Sequence, residues 1–146
     1  MYEAEDYGGS GVTVKITHAG FTGDGFLDYG GAGTYVQFDN VDGGMGGSCT
    51  LKIRYANGGT WTRRCKVNVN GVDQPGEIAF PPTGAWNSWL DTEPIEVNCE
   101  PGNANTIQII GLTSGPNMDH MEVMTLIETT PKVRMKRYFD RYLVRS

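Results

Sequence analysis

Residues 115–123 read Gly-Pro-Asn-Met-Asp-His-Met-Glu-Val, so a Gly-Pro turn signal is followed by two short polar side chains that lead into an apolar run. The polar pair is Asn117 and Asp119, and both residue types are depleted in β-strands. An amide donates and accepts hydrogen bonds together, which suits neighbouring hydroxyl groups. A carboxylate is a hard oxygen ligand of the kind that calcium takes. The stretch is therefore predicted to begin the last strand and to carry binding chemistry there.

The rest of the chain is a series of short apolar runs separated by turn signals. Its 146 residues are the size of one domain, and its 21 glycines are about twice the usual share of about 7%. Roughly nine or ten strands, with turns about every 8–12 residues, are typical of a β-sandwich. The chain is therefore predicted to be all-β, with two antiparallel sheets and no helix before residue 129.

Local signals also predict which strands are neighbours. A first strand covers residues 2–7, and a second strand ends near His18. The strands at residues 49–56 and 63–70 are predicted to form one hairpin, because an Asn-Gly-Gly turn lies between them. Residues 95–99 and 106–112 are predicted to pair across a Pro-Gly turn.

Charge divides the sequence into two parts. Residues 1–128 hold six Lys and Arg against 16 Asp and Glu, a net charge of −10, whereas residues 129–146 hold six against one, a net charge of +5. We expect a sandwich domain at 1–128 and a separate basic tail at 129–146. Apolar side chains recur at helical spacing in this tail, at Met135, Tyr138, Phe139 and Tyr142.

The tail is therefore predicted to form a short basic amphipathic helix. The start of a linker or of the next domain is the favoured interpretation. Docking on the acidic domain and contact with an anionic surface are the alternatives.

Composition excludes several classes of partner. The acidic body would repel phosphate and sulfate, which argues against nucleic acids and highly sulfated polymers. No apolar run approaches the roughly 20 residues of a membrane span. The sequence carries no secretory signal peptide, and we expect a monomeric piece of a longer, secreted protein.

Three cysteines, Cys49, Cys65 and Cys99, make an odd count. Each lies on an alternating apolar pattern, which favours small buried thiols. One disulfide between two of them is the alternative in a secreted protein. With only two histidines and no Cys-x-x-Cys spacing, a metal or catalytic cysteine is not favoured.

Two further features point to binding. Glu3 and Glu5 fall on one face of the predicted first strand, where like charges repel unless a cation lies between them. Trp86 lies in a loop between glycine and asparagine, which favours a binding platform over a core position, while Trp89 is expected to pack under that loop. Trp61 is expected to be exposed at the tip of the predicted hairpin, and it is not assigned to a binding site.

Seven stretches, taken together and in order, resemble a carbohydrate-binding module of the family 6/family 35 type. These modules are jelly-roll, galactose-binding-like β-sandwiches that are often attached to glycoside hydrolases and bind polysaccharide without cleaving it. The resemblance covers residues 2 to about 125. The stretches are residues 2–6 (YEAED), 20–29 (GFTGDGFLDY), 53–58 (IRYANG), 69–71 (VNG), 82–89 (PTGAWNSW), 105–107 (NTI) and 115–119 (GPNMD).

The resemblance implies a structural calcium ion that ties the first strand to the last. Its ligands here would be Glu3, Glu5 and Asp119, joined by backbone carbonyls near Thr22 to Asp24. Two carboxylates at i and i+2, with a third from a distant segment, agree with a hard oxygen cage. The alternative is a solvated acidic edge strand, since edge strands often carry charge.

The resemblance also implies a sugar-binding cleft at one end of the sandwich, built from Phe26, Trp86 and Asn117. The C–H face of a sugar ring packs on an aromatic ring, and its hydroxyls need paired donors and acceptors. Relatives often have tyrosine in place of Phe26, so Tyr29 is expected to supply the missing hydroxyl. His18 lies where relatives place an acid, and Asn117 has turn capping as its alternative.

Two other functions remain open. A calcium-stabilised adhesion or structural domain would bind no sugar. A glycan-active enzyme would need two carboxylates that face each other across a cleft, and Asp28 with Asp91 is the best available pair. Arg54 and Arg63 are expected to face outward and to pair with acidic neighbours.

Overall fold

Alternating burial explains why the long strands form. In the strand that covers residues 47–56, the side chains of Leu51, Ile53 and Tyr55 are buried, and the residues between them are partly exposed. This period of two is what a half-buried strand requires. The computed structural model describes residues 1–125, and it places these strands in two antiparallel sheets. The predicted all-β sandwich is confirmed.

Thirteen strands make up the described chain, with one turn of 3-10 helix at Ala4–Asp6. In chain order they are β1 (Tyr2–Glu3), β2 (Gly9–Ser10), β3 (Val12–Lys15), β4 (Phe26–Tyr29), β5 (Tyr35–Val41), β6 (Gly47–Ala56), β7 (Arg63–Val69), β8 (Val72–Asp73), β9 (Ile78–Phe80), β10 (Leu90–Asp91), β11 (Ile95–Cys99), β12 (Asn105–Gly111) and β13 (Asn117–Thr125).

Seven strands form the first sheet and six form the second. The first has the order β10-β6-β13-β4-β3, with β1 paired to β13 and β11 paired to β6. The second has the order β2-β5-β12-β7-β8, with β9 paired to β7. The core lies between their inner faces, where Phe38, Phe80, Leu51, Ile53 and Ile107 are fully buried. Each such side chain contributes about 1.5–3 kcal/mol by leaving water.

The predicted hairpin between residues 49–56 and 63–70 is wrong. β6 pairs with β13, β10 and β11 in the first sheet, and β7 pairs with β12, β8 and β9 in the second. The segment between them crosses from one sheet to the other around the buried side chain of Asn57. Asn57 Nδ2 donates to the carbonyls of Trp61 at 3.0 Å and Phe80 at 2.8 Å, and its Oδ1 accepts from Gly59 N at 3.0 Å.

The predicted pairing of residues 95–99 with 106–112 is also wrong. β11 pairs with β6, whereas β12 lies between β5 and β7. Here the buried side chain of Asn105 holds the crossing, because its Nδ2 donates to the carbonyls of Val41 at 3.1 Å and Glu100 at 2.9 Å. A buried asparagine that satisfies carbonyls of the linking segment lets the chain change sheets without leaving polar groups unpaired.

The start of the chain differs from the prediction as well. Strand structure covers only Tyr2 and Glu3, and the 3-10 turn then carries Glu5. Glu3 and Glu5 are therefore not neighbours on a strand face, as the alternation predicted. The second long strand, β3, ends at Lys15 and not near His18.

All three cysteines are buried and unpaired, which agrees with the interpretation as small core thiols. Burial raises the pKa of the Cys65 thiol to about 12. Burial and the neighbouring Cys49 raise the pKa of Cys99 to about 12. At neutral pH the thiols of Cys65 and Cys99 are therefore protonated and unreactive.

The predicted domain boundary at residues 128 and 129 and the predicted tail helix lie outside the described residues, so both stay predictions. Within residues 1–125, no helix is long and apolar enough to cross a membrane.

Candidate functional site

The start of β13 lies at the centre of the first sheet and organises the site. Asn117 pairs with Asp28 of β4 on one side and with Ala56 of β6 on the other. Just before it, Gly115 packs so closely on the ring of Tyr29 that a Cβ atom there would lie 2.5 Å from that side chain. Only glycine can occupy that position, which fixes the approach of the turn to the sheet.

A β-bulge at Asp119 sets the directions of its neighbours. Met118 pairs with Tyr55 and His120 pairs with Arg54, so Asp119 is the extra residue. A bulge changes the regular alternation of side chains. Asp119 and His120 therefore both contact Thr22, although adjacent residues of a regular strand point to opposite faces.

Three carboxylates surround the loop at residues 22–24. Asp119 accepts from Thr22 N at 2.9 Å, and Glu3 accepts from the Thr22 hydroxyl at 2.8 Å. Glu5 accepts from Asp24 N at 2.8 Å. The structure thus brings together all five residues of the predicted calcium site. Thr22 contacts these carboxylates through its N–H and hydroxyl groups and Asp24 through its N–H group, whereas the prediction assigned their carbonyls to the ion.

Gly23 passes between two of these carboxylates. Its φ is 65°, and a Cβ atom built there would lie 2.2 Å from Glu5 Oε2 and 3.1 Å from Glu3 Oε1. A side chain at this position would displace both carboxylates. Glycine is therefore needed both for its backbone conformation and for the space it leaves.

Glu5 has an unsatisfied oxygen. Its Oε1 atom is buried and is the only such side-chain atom without a hydrogen-bond partner among residues 1–125. Burial is the main cause that raises the pKa of Glu5, opposed by backbone hydrogen bonds and assisted by Glu3. A buried acceptor without a partner costs free energy, and a cation beside it would remove that cost.

Arg54 and His120 belong to this cluster although the sequence did not place them there. Arg54 Nη1 lies 2.6 Å from Asp119 Oδ2 and donates to the carbonyl of Gly20 at 2.8 Å. The expectation that Arg54 pairs with an acid is met, but its partner is the fully buried Asp119. Glu3, Asp119 and His120 each present a ligand atom within 4.8 Å of the others.

A cavity of about 270 Å³ has Asn117, two residues before Asp119 on β13, in its lining. The structure brings four predicted ligand-binding residues to it, namely His18, Phe26, Trp86 and Asn117. Lys15, Thr17 and Asp28 complete its lining.

Asn117 joins the strand to the aromatic loop. Its side chain is buried, and Nδ2 donates to the carbonyl of Trp86 at 3.2 Å. The amide thereby holds the loop in place and leaves Oδ1 as an acceptor. The indole of Trp86 is partly exposed at the edge of the cavity.

Phe26 forms part of the cavity wall from within the core. It is fully buried, and its ring centroid lies 5.9 Å from His18, 5.9 Å from Phe21 and 5.4 Å from Trp89. Trp89 donates from Nε1 to the carbonyl of Ala19 at 2.8 Å. Trp89 is therefore held against Phe26 and the segment at residues 19–20, and its predicted packing under the loop of Trp86 stays a prediction.

Tyr29 is not brought to the cavity. Its side chain points into the core on the same face of β4 as Leu27, and its hydroxyl donates to the carbonyl of Ile109 at 2.8 Å and accepts from Val36 N at 3.2 Å. These bonds join the two sheets, and burial raises the pKa of Tyr29 well above its ordinary value. The predicted hydroxyl contact with a ligand is therefore not available.

Three residues of the lining were missed by sequence reasoning. Lys15 Nζ and Asp28 Oδ2 form an ion pair at 2.8 Å across β3 and β4. The alternation of Val12, Val14 and Ile16 could have indicated two of them, because it places Lys15 and Thr17 together on the opposite face of the strand. Asp28 had been considered only as a partner of Asp91.

Asp28 and Asp91 are not brought together. Asp28 lines the cavity beside Trp86, whereas Asp91 lies on β10, where its carboxylate is 4.0 Å from Lys52 Nζ. The structure therefore offers no support for the catalytic pair that the sequence allowed.

Comparison with known proteins gives a consistent family. Residues 3–124 match the model of the carbohydrate binding module, family 6. Endo-1,4-beta-xylanase B of Cellvibrio japonicus is 36% identical over 115 residues, which are 77% of this chain and 19% of the relative. Exo-beta-D-glucosaminidase of Amycolatopsis orientalis is 36% identical over 121 residues, which are 81% of this chain and 11% of the relative. The chain thus spans about a fifth or less of these relatives.

Solved structures agree with this match. A family 35 carbohydrate binding module from Clostridium thermocellum superposes with a TM-score of 0.77 at 33% identity, covering 86% of this chain and 96% of the module. A family 35 module described as Xyl-CBM35, in complex with a disaccharide that contains glucuronic acid, gives a TM-score of 0.72 at 34% identity, covering 84% and 90%. Fold and sequence together establish that this chain belongs to carbohydrate binding module family 6.

Proposed function

We propose that the chain binds a glycan, without cleaving it, in the cavity between Trp86 and Asn117. The observation that carries this proposal is the partly exposed indole of Trp86 at the cavity edge, with its backbone held by the buried amide of Asn117. A sugar ring packs its C–H face on the indole. Asn117, His18 and the Lys15–Asp28 pair supply polar groups for its hydroxyls.

The affinity should be modest. The cavity is open at the surface, and ligands of oligosaccharide size gain only about 0.3 kcal/mol for each non-hydrogen atom. The residues that hold Trp86 are ordered by their own contacts, so little ordering is needed at binding.

The absence of turnover is part of the proposal. Glycoside hydrolysis uses two carboxyl groups about 5–9.5 Å apart across the scissile bond. Among the described residues, Asp28 is the one carboxylate that lines the cavity, and it is paired with Lys15. We therefore assign the chain a binding role beside a separate catalytic domain.

We further propose that Glu3, Glu5 and Asp119 hold a structural calcium ion. Two observations support a cation there. The Glu5 Oε1 atom is buried without a hydrogen-bond partner, and the carboxylates of Glu3 and Glu5 both lie next to Gly23, so two like charges are close together. Hard oxygen donors are the ligands that calcium prefers. Asp119 would be the third carboxylate to hold the ion, with its Oδ2 atom also paired to Arg54.

The setting of the module is also a proposal. Because the relatives are much longer than this chain, we propose that it is tethered to a carbohydrate-active enzyme. We also propose that the module is secreted and monomeric and that its ligand is a polysaccharide or an oligosaccharide.

A glycan array followed by product analysis tests the proposal. The full chain should bind at least one class of glycan and release no product from it. Trp86→Ala should abolish the array signal because the stacking surface is lost, while its neighbour Asn87→Ala, an exposed residue outside the cavity lining, should retain it. A signal that survives Trp86→Ala would refute the cleft, product release would refute the non-catalytic role, and an array without any bound glycan would favour an adhesion or structural domain.

A further inference from the structure

A cluster of two indoles and one guanidinium adjoins the cavity. The guanidinium carbon of Arg63 lies 5.0 Å from the ring centroid of Trp86 and 4.9 Å from that of Trp61. We call these three residues the Trp–Arg–Trp cluster. Arg63 was expected to face outward and to pair with an acid, but it contacts these two aromatic rings.

Arg63 is fixed in this position by two further contacts. Its Nη1 atom donates to the carbonyl of Gly115 at 3.0 Å, and its Nε atom donates to Asn57 Oδ1 at 3.3 Å. Both partners are themselves buried. The guanidinium therefore joins the crossing between β6 and β7 to the turn before β13, and it presents a fixed plane on which indoles stack.

Trp61 lies on this fixed support with much of its ring in solvent. It is 47% exposed, and its carbonyl accepts from Asn57 Nδ2 at 3.0 Å, so its backbone is held although its side chain is not buried. A tryptophan that packs in a core loses far more of its surface. An exposed indole on an ordered backbone is the arrangement expected of a binding surface.

Continuity with the cavity indicates the occupant. Trp86 belongs both to the cavity lining and to the Trp–Arg–Trp cluster, so a ligand that stacks on Trp86 ends close to Arg63 and Trp61. Arg63 has N–H donors beyond the two that contact Gly115 and Asn57, and sugar hydroxyls accept from such donors. Trp61 offers a second aromatic face for a sugar C–H surface.

We propose that Arg63 and Trp61 form a second sugar subsite that adjoins Trp86. This inference rests on the proposed function and names its ligand class: a chain of linked sugar residues, with one residue in the cavity and a neighbour on the Trp–Arg–Trp cluster. A single sugar would use the cavity alone. Affinity should therefore rise with chain length.

Calorimetric titration of the full chain against length series tests this subsite. The probes are xylose to xylohexaose, glucose to isomaltohexaose, and galactose to β-1,3-galactotriose. In the series that binds, the longest member should bind more tightly than the monosaccharide. Trp61→Ala should weaken the longest member roughly tenfold and leave the monosaccharide unchanged, because only the second subsite is lost. Val72→Ala truncates another exposed apolar side chain, on β8, and should change neither.

A second variant guards against a folding defect. Trp61→Phe keeps an aromatic face beside Arg63 and leaves the contacts of Arg63 with Trp86, Gly115 and Asn57 in place, so it should retain most of the length dependence that Trp61→Ala loses. Equal affinity for all lengths in the unaltered chain, no effect of Trp61→Ala, or an equal loss at every length would overturn the second subsite. If no series binds, or if Trp86→Ala changes nothing, the proposed function itself fails, which is a separate result.

Discussion

At the scale of single residues, Asp119 shows how one irregular position determines a site. Because it is the extra residue of a β-bulge, it and His120 both reach Thr22, while Met118 and Met121 both remain in the core. In a regular strand, side chains three positions apart would point to opposite faces. The bulge therefore lets one strand keep its methionines in the core and place two adjacent polar side chains against Thr22.

Tyr29 provides a prediction at this scale. Tyr29→Phe removes a hydroxyl that satisfies the carbonyl of Ile109 and the N–H of Val36 between the two sheets. Leaving buried polar groups without partners costs about 1–3 kcal/mol. Chemical denaturation should report that loss, whereas glycan affinity should be unchanged. A variant of unchanged stability with weakened glycan binding would return Tyr29 to the cleft.

The sequence could predict residues whose chemistry conflicts with their local pattern. Asn117 and Asp119 are unfavourable in a strand, and Trp86 lies in a loop, so each pointed to binding before the fold was known. Lys15 and Asp28 could not be recognised in this way, because charged residues on the outer face of a strand are ordinary. Their role depends on the pairing of β3 with β4 and on the loop above them.

At the scale of elements, the loop at residues 22–24 connects parts of the chain that share no strand pairing with it. Its N–H and hydroxyl groups contact Glu3 and Glu5 at the start of the chain and Asp119 near its end. Alternation predicted that Glu3 and Glu5 share a strand face, whereas Glu3 lies in β1 and Glu5 in the 3-10 turn, and both contact the loop. The two acids were therefore singled out by a strand alternation that the backbone does not have, because Glu5 lies in a 3-10 turn.

Calcium dependence is the prediction that belongs to these elements. At a concentration 100-fold above its Kd, a bound ion adds about 2.7 kcal/mol, which corresponds to a rise in Tm of roughly 5–15 °C. Thermal unfolding should therefore occur at lower temperature in chelator than in calcium. Glu5→Gln should remove most of this difference, because the unpaired buried oxygen is no longer charged.

Asp6→Asn is the matched control for Glu5. Asp6 is an exposed acid in the same 3-10 turn, so its substitution should leave the calcium response intact. Equal Tm values for the unaltered chain in chelator and in excess calcium would reject the proposed ligands.

The strand pairings of the two sheets were harder to predict than their strands. Each long strand was recognised from its alternating apolar residues, but β6 and β7 lie in different sheets although a turn signal separates them. The deciding contacts are those of Asn57 and Asn105, whose buried amides hold the crossings. An asparagine near a glycine reads locally as a turn, and only the tertiary fold reveals it as a crossing.

At the scale of the whole molecule, closure of the fold and recognition share one strand. β13 carries Asn117 in the cavity lining and Asp119 in the carboxylate cluster, and its pairing with β1 covers the next two residues, His120 and Met121. Losing the cluster should therefore disturb the cavity.

Asp119→Ala tests this coupling. It should lower glycan affinity in calorimetric titration although Asp119 does not line the cavity, and removing calcium from the unaltered chain should weaken binding in the same direction. Asp119→Ala removes the buried partner of Arg54 and could therefore impair folding. Chelation of calcium in the unaltered chain tests the same coupling without a variant. Full affinity in both cases would separate the two sites.

The central claim is that a glycan stacks on Trp86, and the indole N–H resonances of the three tryptophans test it most directly. A ¹H–¹⁵N spectrum of the full chain, recorded during titration with the glycan that binds on the array, should move the Trp86 resonance in proportion to saturation. The Trp89 resonance should stay in place, because Trp89 does not line the cavity and its N–H donates to the carbonyl of Ala19 at 2.8 Å. A glycan that binds while the Trp86 resonance does not move would contradict the account.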